Sequence, residues 1–157
     1  MRYQDQVVKL TQKALDDVCR AAAAVPDDRL DWVPMGSVRS ALNQMQEIAT
    51  SATWFIPVVE SGVVPHFDAE TAANHTRFRR TMETLDACVA EARQSTGHLC
   101  QAIIAFPDKD LDKEVTMPFG AGTTTMADVL QMHYWNLVYH LGQINQIQLM
   151  LGDRSMH

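Results

Sequence analysis

The sequence is poor in the features that mark several classes of protein. Its longest apolar run is only a handful of residues, too short for a membrane-spanning helix, so no membrane association is predicted. Cys19, Cys88 and Cys100 are far apart and form no CxxC pair, which argues against a zinc ribbon or a redox motif. We therefore interpret the three cysteines as buried thiols.

Positive charge is also scarce. The chain carries 13 Lys and Arg against 19 Asp and Glu, for a formal net charge of −6, and its basic residues are scattered. No basic face is predicted that would displace counterions from a phosphate backbone, so nucleic acid is not expected as a partner. The first residues, MRYQD, lack the apolar run of a signal peptide, and we expect a cytoplasmic protein.

Four stretches repeat apolar residues at steps of three and four, which is the spacing of one helix face. They predict helices from Gln4 to Ala24, from Val38 to Ile56, from Phe78 to Phe106 and from Met126 to Leu151. Punctuated connections between long helices are typical of a bundle. We therefore predict an all-α fold, an antiparallel four-helix bundle, with residues 1–157 as a single domain.

Turn-forming residues predict the ends and the connections of these helices. Ser37 is expected to be the N-cap of the second helix, and Pro57 is expected to end it. In the first loop, Leu30 and Trp32 are apolar and are expected to fold back over the end of the bundle. The segment from Lys113 to Phe119 is predicted to form a short extended stretch or a hairpin arm.

Two histidines occupy the apolar seam of the last predicted helix. His133 and His140 are seven residues apart, so they point the same way but lie about 10 Å apart along the axis, too far for one metal ion. Spacing alone favours two core imidazoles that hydrogen-bond to a backbone carbonyl or to a neighbouring Tyr or Gln. Gly142 interrupts the same helix, which suggests that another backbone or a bound group approaches closely there.

Two further residues are candidate ligands. Asn136 lies four residues before His140, the spacing that puts two side chains around one metal ion, although an amide is a poor transition-metal ligand. On the second helix, Glu47 or Gln44 one turn earlier could face the last helix. Glu47 lies away from the apolar seam, and a solvated carboxylate is the simpler interpretation of that position.

Two motifs resemble those of a known family. The closing sequence HLGQI, residues 140–144 followed by Gly152 and Asp153, and the stretch RSALNQMQEIATSATWF, residues 39–55, resemble DinB/YfiT-like proteins. The resemblance covers nearly the whole chain and implies a four-helix bundle. Members of this family often hold a divalent metal on three histidines, one on the second helix and two on the last, and some use it in thiol-dependent transferase or isomerase chemistry.

Carried over by position, the resemblance implies a metal centre with an altered set of ligands. The final histidine of the family matches His140, the preceding one falls on Asn136, and the histidine of the second helix falls on Glu47, or on Gln44 in a shifted register. His133 is a candidate substitute for Asn136. The resemblance thus implies a zinc or nickel ion held by His140 and Glu47, with Asn136 or His133 as the third ligand. It also implies an enzyme, either a thiol S-transferase whose metal holds a small thiol or a hydrolase whose metal activates water.

Two alternatives remain open at this stage. The bundle could be metal-free and bind a small ligand or a protein partner, with His140, Asn136 and Gln143 in a polar core network. It is also expected to form a homodimer, because helical bundles of this size commonly pair through a second apolar face. The candidates for that face, or for a ligand pocket, are Trp54, Phe55, Trp135 and Tyr139.

Overall fold

A computed structural model describes residues 1–118, 122–155 and 157, and in it the described chain is mainly helical. Two short 3-10 turns, Asp27–Arg29 and Asp108–Asp110, lie in the connections. The remaining elements, in chain order, are α1 (Tyr3–Ala23), α2 (Ala41–Ser61), α3 (Ala69–Thr81), α4 (Leu85–Ala105), β1 (Glu114–Met117), β2 (Gly122–Thr125) and α5 (Met126–Met150). The predicted all-α four-helix bundle is confirmed, with α1, α2, α4 and α5 as its members.

Local sequence explains where these helices begin. The side chains of four N-cap residues each accept a hydrogen bond from the backbone N–H three residues ahead, which satisfies a donor that the first turn leaves unpaired. These caps are Ser40, Asp68, Thr84 and Thr125. The true N-cap of α2 is therefore Ser40, and the prediction of Ser37 was wrong by one turn.

The helix directions follow from two groups of buried residues, one at each end of the bundle. The first group contains the C-terminal part of α1, the N-terminal halves of α2 and α4, and the C-terminal part of α5. The second contains the start of α1, the C-terminal halves of α2 and α4, and the start of α5. Hence α1 and α5 run one way while α2 and α4 run the other, and α2 is parallel to α4 and antiparallel to α5.

Parallel neighbours require a connection that returns along the bundle, and residues 62–84 provide it. Its central part is α3, a crossover helix of 13 residues with no buried side chain, which spans about 20 Å. The single helix predicted from Phe78 to Phe106 was therefore wrong: the chain leaves helical geometry at Met82 (φ −90°, ψ 82°), and Thr84 caps a new helix. The apolar spacing continued across this break and concealed it.

The predicted end of α2 at Pro57 was also wrong, since the helix continues to Ser61 and closes at Gly62 in the left-handed conformation (φ 68°). A proline removes one intrahelical N–H, whose acceptor here would be the carbonyl of Thr53. Thr53 is exposed, so water can satisfy that carbonyl. The cost of the proline is thereby reduced, and the second helix gains a further turn.

Three other predictions about the fold are confirmed. Leu30 and Trp32 pack against the first core group, and all three cysteines are buried free thiols. The extended arm is the antiparallel hairpin β1–β2, whose register pairs Glu114 with Thr125; Phe119, at the end of the predicted arm, lies outside the described residues. Within the described chain, every helix is too short or too polar to span a membrane.

Candidate metal centre

His140 lies at the interface of the antiparallel helices α2 and α5, and its side chain is completely buried. Its Nδ1 lies 3.1 Å from Oε1 of Gln44. Because an amide oxygen only accepts, Nδ1 carries the proton and donates it, which leaves Nε2 as an unprotonated acceptor. Burial, with the positive charges of Arg39 and Arg79, lowers the pKa of His140 from 6.5 to about 4, so the ring is neutral at pH 7.

The free acceptor of His140 faces a carboxylate. Nε2 lies 3.5 Å from Oε1 of Glu47 and has no hydrogen-bond partner among the described residues. A neutral imidazole lone pair and a carboxylate oxygen do not attract each other, so these two atoms are favourable neighbours only with a cation or a donor between them. This nitrogen is one of three buried side-chain polar atoms in the described part of the chain that have no hydrogen-bond partner.

The other oxygen of Glu47 is held by two arginines. Oε2 accepts a hydrogen bond from Nη1 of Arg39 and lies 3.7 Å from Nη1 of Arg79. Arg79 also donates from Nε to Oγ1 of Thr50 at 2.9 Å. The simpler interpretation of Glu47 as a solvated carboxylate was therefore incomplete: its side chain is only 22% exposed and is fixed by ion pairs.

His133 belongs to a separate set of contacts. Its Nδ1 lies 3.1 Å from Oγ of Ser51, and its Nε2 lies 2.8 Å from Oγ1 of Thr96. Since Ser51 donates to the carbonyl of Ile48, it accepts from Nδ1–H, and Thr96 donates to Nε2. Both ring nitrogens are thus occupied, as expected of a core imidazole, and His133 is not brought to the pair formed by His140 and Glu47.

Asn136 is one turn from His140 on α5, and its buried Oδ1 has no hydrogen-bond partner in the described part of the chain. The predicted network of His140, Asn136 and Gln143 is therefore not formed, because His140 bonds to Gln44 instead. The predicted close approach of another backbone to Gly142 is not found among the described residues. Gly142 is exposed, and nothing lies within 4 Å of a Cβ placed there.

The donor set can be compared with the needs of a divalent metal. Among the described residues, no three His, Cys, Asp or Glu side chains converge on one point, so a three-ligand site requires the amide of Asn136. The separation of His140 Nε2 and Glu47 Oε1, 3.5 Å, is that expected for two tetrahedral ligands with metal–ligand bonds of about 2.0–2.2 Å. The orphaned Oδ1 of Asn136, one turn from His140 on the same helix, is a further candidate donor, so the chemistry of these three side chains suits a metal ion with weaker coordination than three histidines would provide.

A cavity of about 590 Å³ adjoins this group of residues. It lies between α2, α3, α5 and the hairpin, and it shares Thr50, Arg79 and Asn136 with the surroundings of His140. Trp54 and Phe55, predicted candidates for a pocket or a dimer face, line it, whereas Trp135 and Tyr139 are exposed on the outer side of α5.

The family is decided by comparison with known proteins. The profile of the DinB superfamily matches residues 10–144, most of the chain. The protein belongs to the DinB superfamily. No curated protein sequence matches this DinB protein.

Solved structures show the same fold at low sequence identity. YfiT from Bacillus subtilis, described as a probable metal-dependent hydrolase with an unusual four-helix bundle topology, has a TM-score of 0.76 at 12% identity, covering 95% of this chain and 87% of YfiT. The DinB-like protein YjoA from Bacillus subtilis has a TM-score of 0.68 at 20% identity, covering 97% and 95%. A mycothiol-dependent maleylpyruvate isomerase has a TM-score of 0.72 at 14% identity; 90% of this chain is covered, but only 60% of the isomerase. These likenesses establish the fold.

Sequence reasoning missed Arg79 and underestimated Gln44. Arg79 lies in a stretch that was assigned to a connector and to the start of a long helix, so no pattern placed it near Glu47. Gln44 was named only as a substitute for Glu47 in a shifted register. In the structure both residues lie against His140, Gln44 at Nδ1 and Glu47 at Nε2. Their spacing of three residues on one helix face was the available signal.

Proposed function

We propose that this DinB protein binds one divalent metal ion at Glu47, Asn136 and His140, and that the ion supports a hydrolytic or thiol-transfer reaction at the adjoining cavity. The observation that carries this proposal is the buried, unpartnered Nε2 of His140 facing Oε1 of Glu47 at 3.5 Å. A cation between these atoms would turn an unfavourable pair of acceptors into a pair of ligands. Zinc and nickel are the ions proposed, since both accept imidazole and zinc also accepts carboxylate oxygen.

The residues around the ligands have definable roles. Gln44 accepts from Nδ1–H of His140 and so fixes the tautomer that leaves Nε2 available, as outer partners of ligating histidines do. Arg39 and Arg79 hold the distal oxygen of Glu47 and keep the proximal oxygen turned toward His140. A bound metal would supply a Lewis acid that lowers the pKa of a water or a thiol at its open position.

Relatives of the same fold support the chemistry by analogy. YfiT is described as a probable metal-dependent hydrolase, and the maleylpyruvate isomerase as mycothiol-dependent. Both classes of reaction fit a metal with an open coordination position beside a cavity. Asn136 and Arg79 line the cavity of this chain, so a substrate bound there would lie beside the proposed ligands.

The first experiment is elemental analysis of untagged protein purified without chelator, and again after incubation with zinc or nickel followed by desalting. We expect close to one equivalent in the wild type, and loss of the metal in His140→Ala and in Glu47→Gln. The matched control is His133→Gln, which removes a buried imidazole from the same helix but should retain the metal, because both nitrogens of His133 are already bonded. Metal-free wild type after loading, or equal metal in His140→Ala, would refute the proposal.

A second candidate function is metal-free binding of a small ligand. It is favoured by the ion pairs of Glu47 with Arg39 and Arg79, which already compensate the carboxylate without a metal. In this case His140 is a structural imidazole, and the chain would remain metal-free in the elemental analysis. Ligand binding would then be unaffected by chelator, whereas the metal-dependent function would be abolished by it.

We also propose that the protein is a homodimer through the outer face of α5. Trp135, Val138 and Tyr139 are exposed at helical spacing, and no charged residue follows Asp128 in this helix. A solvated helix face normally carries charge, and an uncharged face lets two acidic copies approach without repulsion. Sedimentation equilibrium should show a dimer in the wild type and a monomer in Trp135→Glu. A monomeric wild type at micromolar concentration would refute this interface.

A further inference from the structure

The cavity beside the candidate metal centre has an apolar body and one charged end. Its volume, about 590 Å³, is within the range of small-molecule sites in proteins. Trp54 and Phe55 meet edge to face, with ring centroids 5.1 Å apart and planes at 86°, and Met117 and Met132 extend the apolar wall. Such a wall accommodates an aromatic or branched hydrocarbon group rather than a polar chain.

The charged end is Arg79. Among the described residues that line the cavity, it is the only Asp, Glu, Lys or Arg, so no lining carboxylate competes for it. Its contacts with Thr50 and Glu47 use Nε and Nη1, and a guanidinium has more N–H donors than these two contacts occupy. Arg79 can therefore stay fixed by its contacts with α2 and still donate hydrogen bonds to a ligand in the cavity.

The surrounding charge also favours an anion. Two arginines, Arg39 and Arg79, meet the single carboxylate of Glu47, which leaves a net positive charge at this end of the cavity in a chain whose overall charge is −6. A divalent cation would increase this positive charge. An anionic group in the cavity would balance this excess positive charge.

We propose that the cavity binds a small carboxylic acid with an apolar, preferably aromatic, body, its carboxylate on Arg79 and its body against Trp54 and Phe55. The planar guanidinium matches a carboxylate, and a single arginine with an apolar wall suits a monoanion better than a phosphate ester. This substrate class rests on the proposed function for its catalytic role, although binding itself requires only the cavity and Arg79.

The test compares an acid with its neutral analogue. Isothermal titration calorimetry with 4-phenylbutyrate and with 4-phenylbutyramide, on wild-type protein in chelator, should show the acid binding at least tenfold more tightly. The preference should decrease with added salt, since it depends on charge. Equal affinity of the acid and the amide, or no binding of either at millimolar concentration, would overturn the proposal without any variant.

Variants locate the two ends of the ligand. Arg79→Gln should bind the acid no better than the amide, whereas Arg93→Gln, which alters an exposed arginine paired with Asp16 outside the cavity, should keep the preference. Trp54→Ala should weaken the acid and the amide by a similar factor, because it removes only the apolar contact. If Arg79→Gln kept the full preference for the acid while folded by circular dichroism, the assignment of the carboxylate to Arg79 would be overturned.

The same titrations, repeated after loading with zinc, separate this inference from the proposed function. A preference for the acid in chelator, together with a protein that never takes up metal, would support the ligand class and refute the metal centre. Uptake of one metal ion without any preference for the acid would support the metal centre and overturn the ligand class. A preference for the acid that increases with zinc would support both.

Discussion

The burial of His133 predicts a specific loss of stability in acid. Burial lowers the pKa of this histidine from 6.5 to about 4, and its two hydrogen bonds to hydroxyls add no charge that would stabilise a protonated ring. As the pH falls, His133 is therefore protonated near pH 6.5 in the unfolded chain but only near pH 4 in the folded protein. The folded state is fully favoured above pH 6.5 and loses stability as the pH falls through this window.

The magnitude follows from the two pKa values. Between about pH 8 and about pH 5, a histidine titrating at 6.5 when unfolded and at about 4 when folded costs about 2 kcal/mol of unfolding free energy. His133→Gln removes this term, because an amide does not titrate in the range. The free energy of unfolding of the variant should therefore fall by about 2 kcal/mol less than that of the wild type over the same pH interval.

The assay is urea unfolding followed by circular dichroism at several pH values, in chelator so that metal binding does not contribute. The variant's stability at pH 8 sets only a constant offset, so the quantity compared is the change in the free energy of unfolding with pH. His66→Gln, at an exposed histidine, is the matched control and should follow the wild type. Parallel curves for the wild type and His133→Gln would show that His133 is hydrated, or titrates normally, in the folded protein.

Four further predictions concern a core side chain, a helix cap, a helix glycine and a buried thiol. Leu137→Ala should destabilise the protein by about 2–5 kcal/mol, because Leu137 is fully buried in the first core group; a urea midpoint close to that of the wild type would contradict this packing. Thr125→Ala should cost about 1 kcal/mol by removing the capping box of α5, measured in the same way, and an unchanged midpoint would show that water replaces the cap. In the monomeric Trp135→Glu background, where no second copy would cover this face of α5, Gly142→Ala should stabilise the protein by about 0.5–1 kcal/mol, since nothing in the described chain lies near the site; a destabilised variant would restore the idea of a close approach there. Burial raises the pKa of Cys88 to about 11, so Ellman's reagent should react with it only in urea, and rapid reaction in the native protein would place the thiol at the surface.

The apolar periodicity predicted the bundle helices well wherever one face of a helix stays buried throughout. The last helix is the best example: its predicted range, Met126 to Leu151, differs from α5 by one residue. Periodicity failed where the buried face was absent or changed. α3 buries no side chain, so it has no apolar face to detect, and the seam of α4 could be extended backward into it across the break at Met82.

The candidate site was only partly accessible from sequence. The spacing of Asn136 and His140 fixes their common face on α5, and the position of Glu47 on the second helix makes it a plausible neighbour, so the residues themselves could be named. The residues that come into contact depend on how far α2 is shifted along α5. Side-chain packing determines this shift, and no local sequence pattern encodes it. The partners of His133 illustrate this limit, since Ser51 and Thr96 come from two other helices.

The direction of the helices links the fold to the site. Because α2 and α5 are antiparallel, Gln44 and Glu47 both reach His140 from one turn of α2. Because α2 and α4 are parallel, the chain must return along the outside of the bundle, and this return is the crossover helix α3 that carries Arg79 to Glu47 and forms one wall of the cavity. A bundle in which successive helices alternate in direction would need only a short turn after α2 and would have neither this arginine nor this wall. The crossover is therefore the element that supplies the site's excess positive charge, and the ligand preference inferred here depends on it.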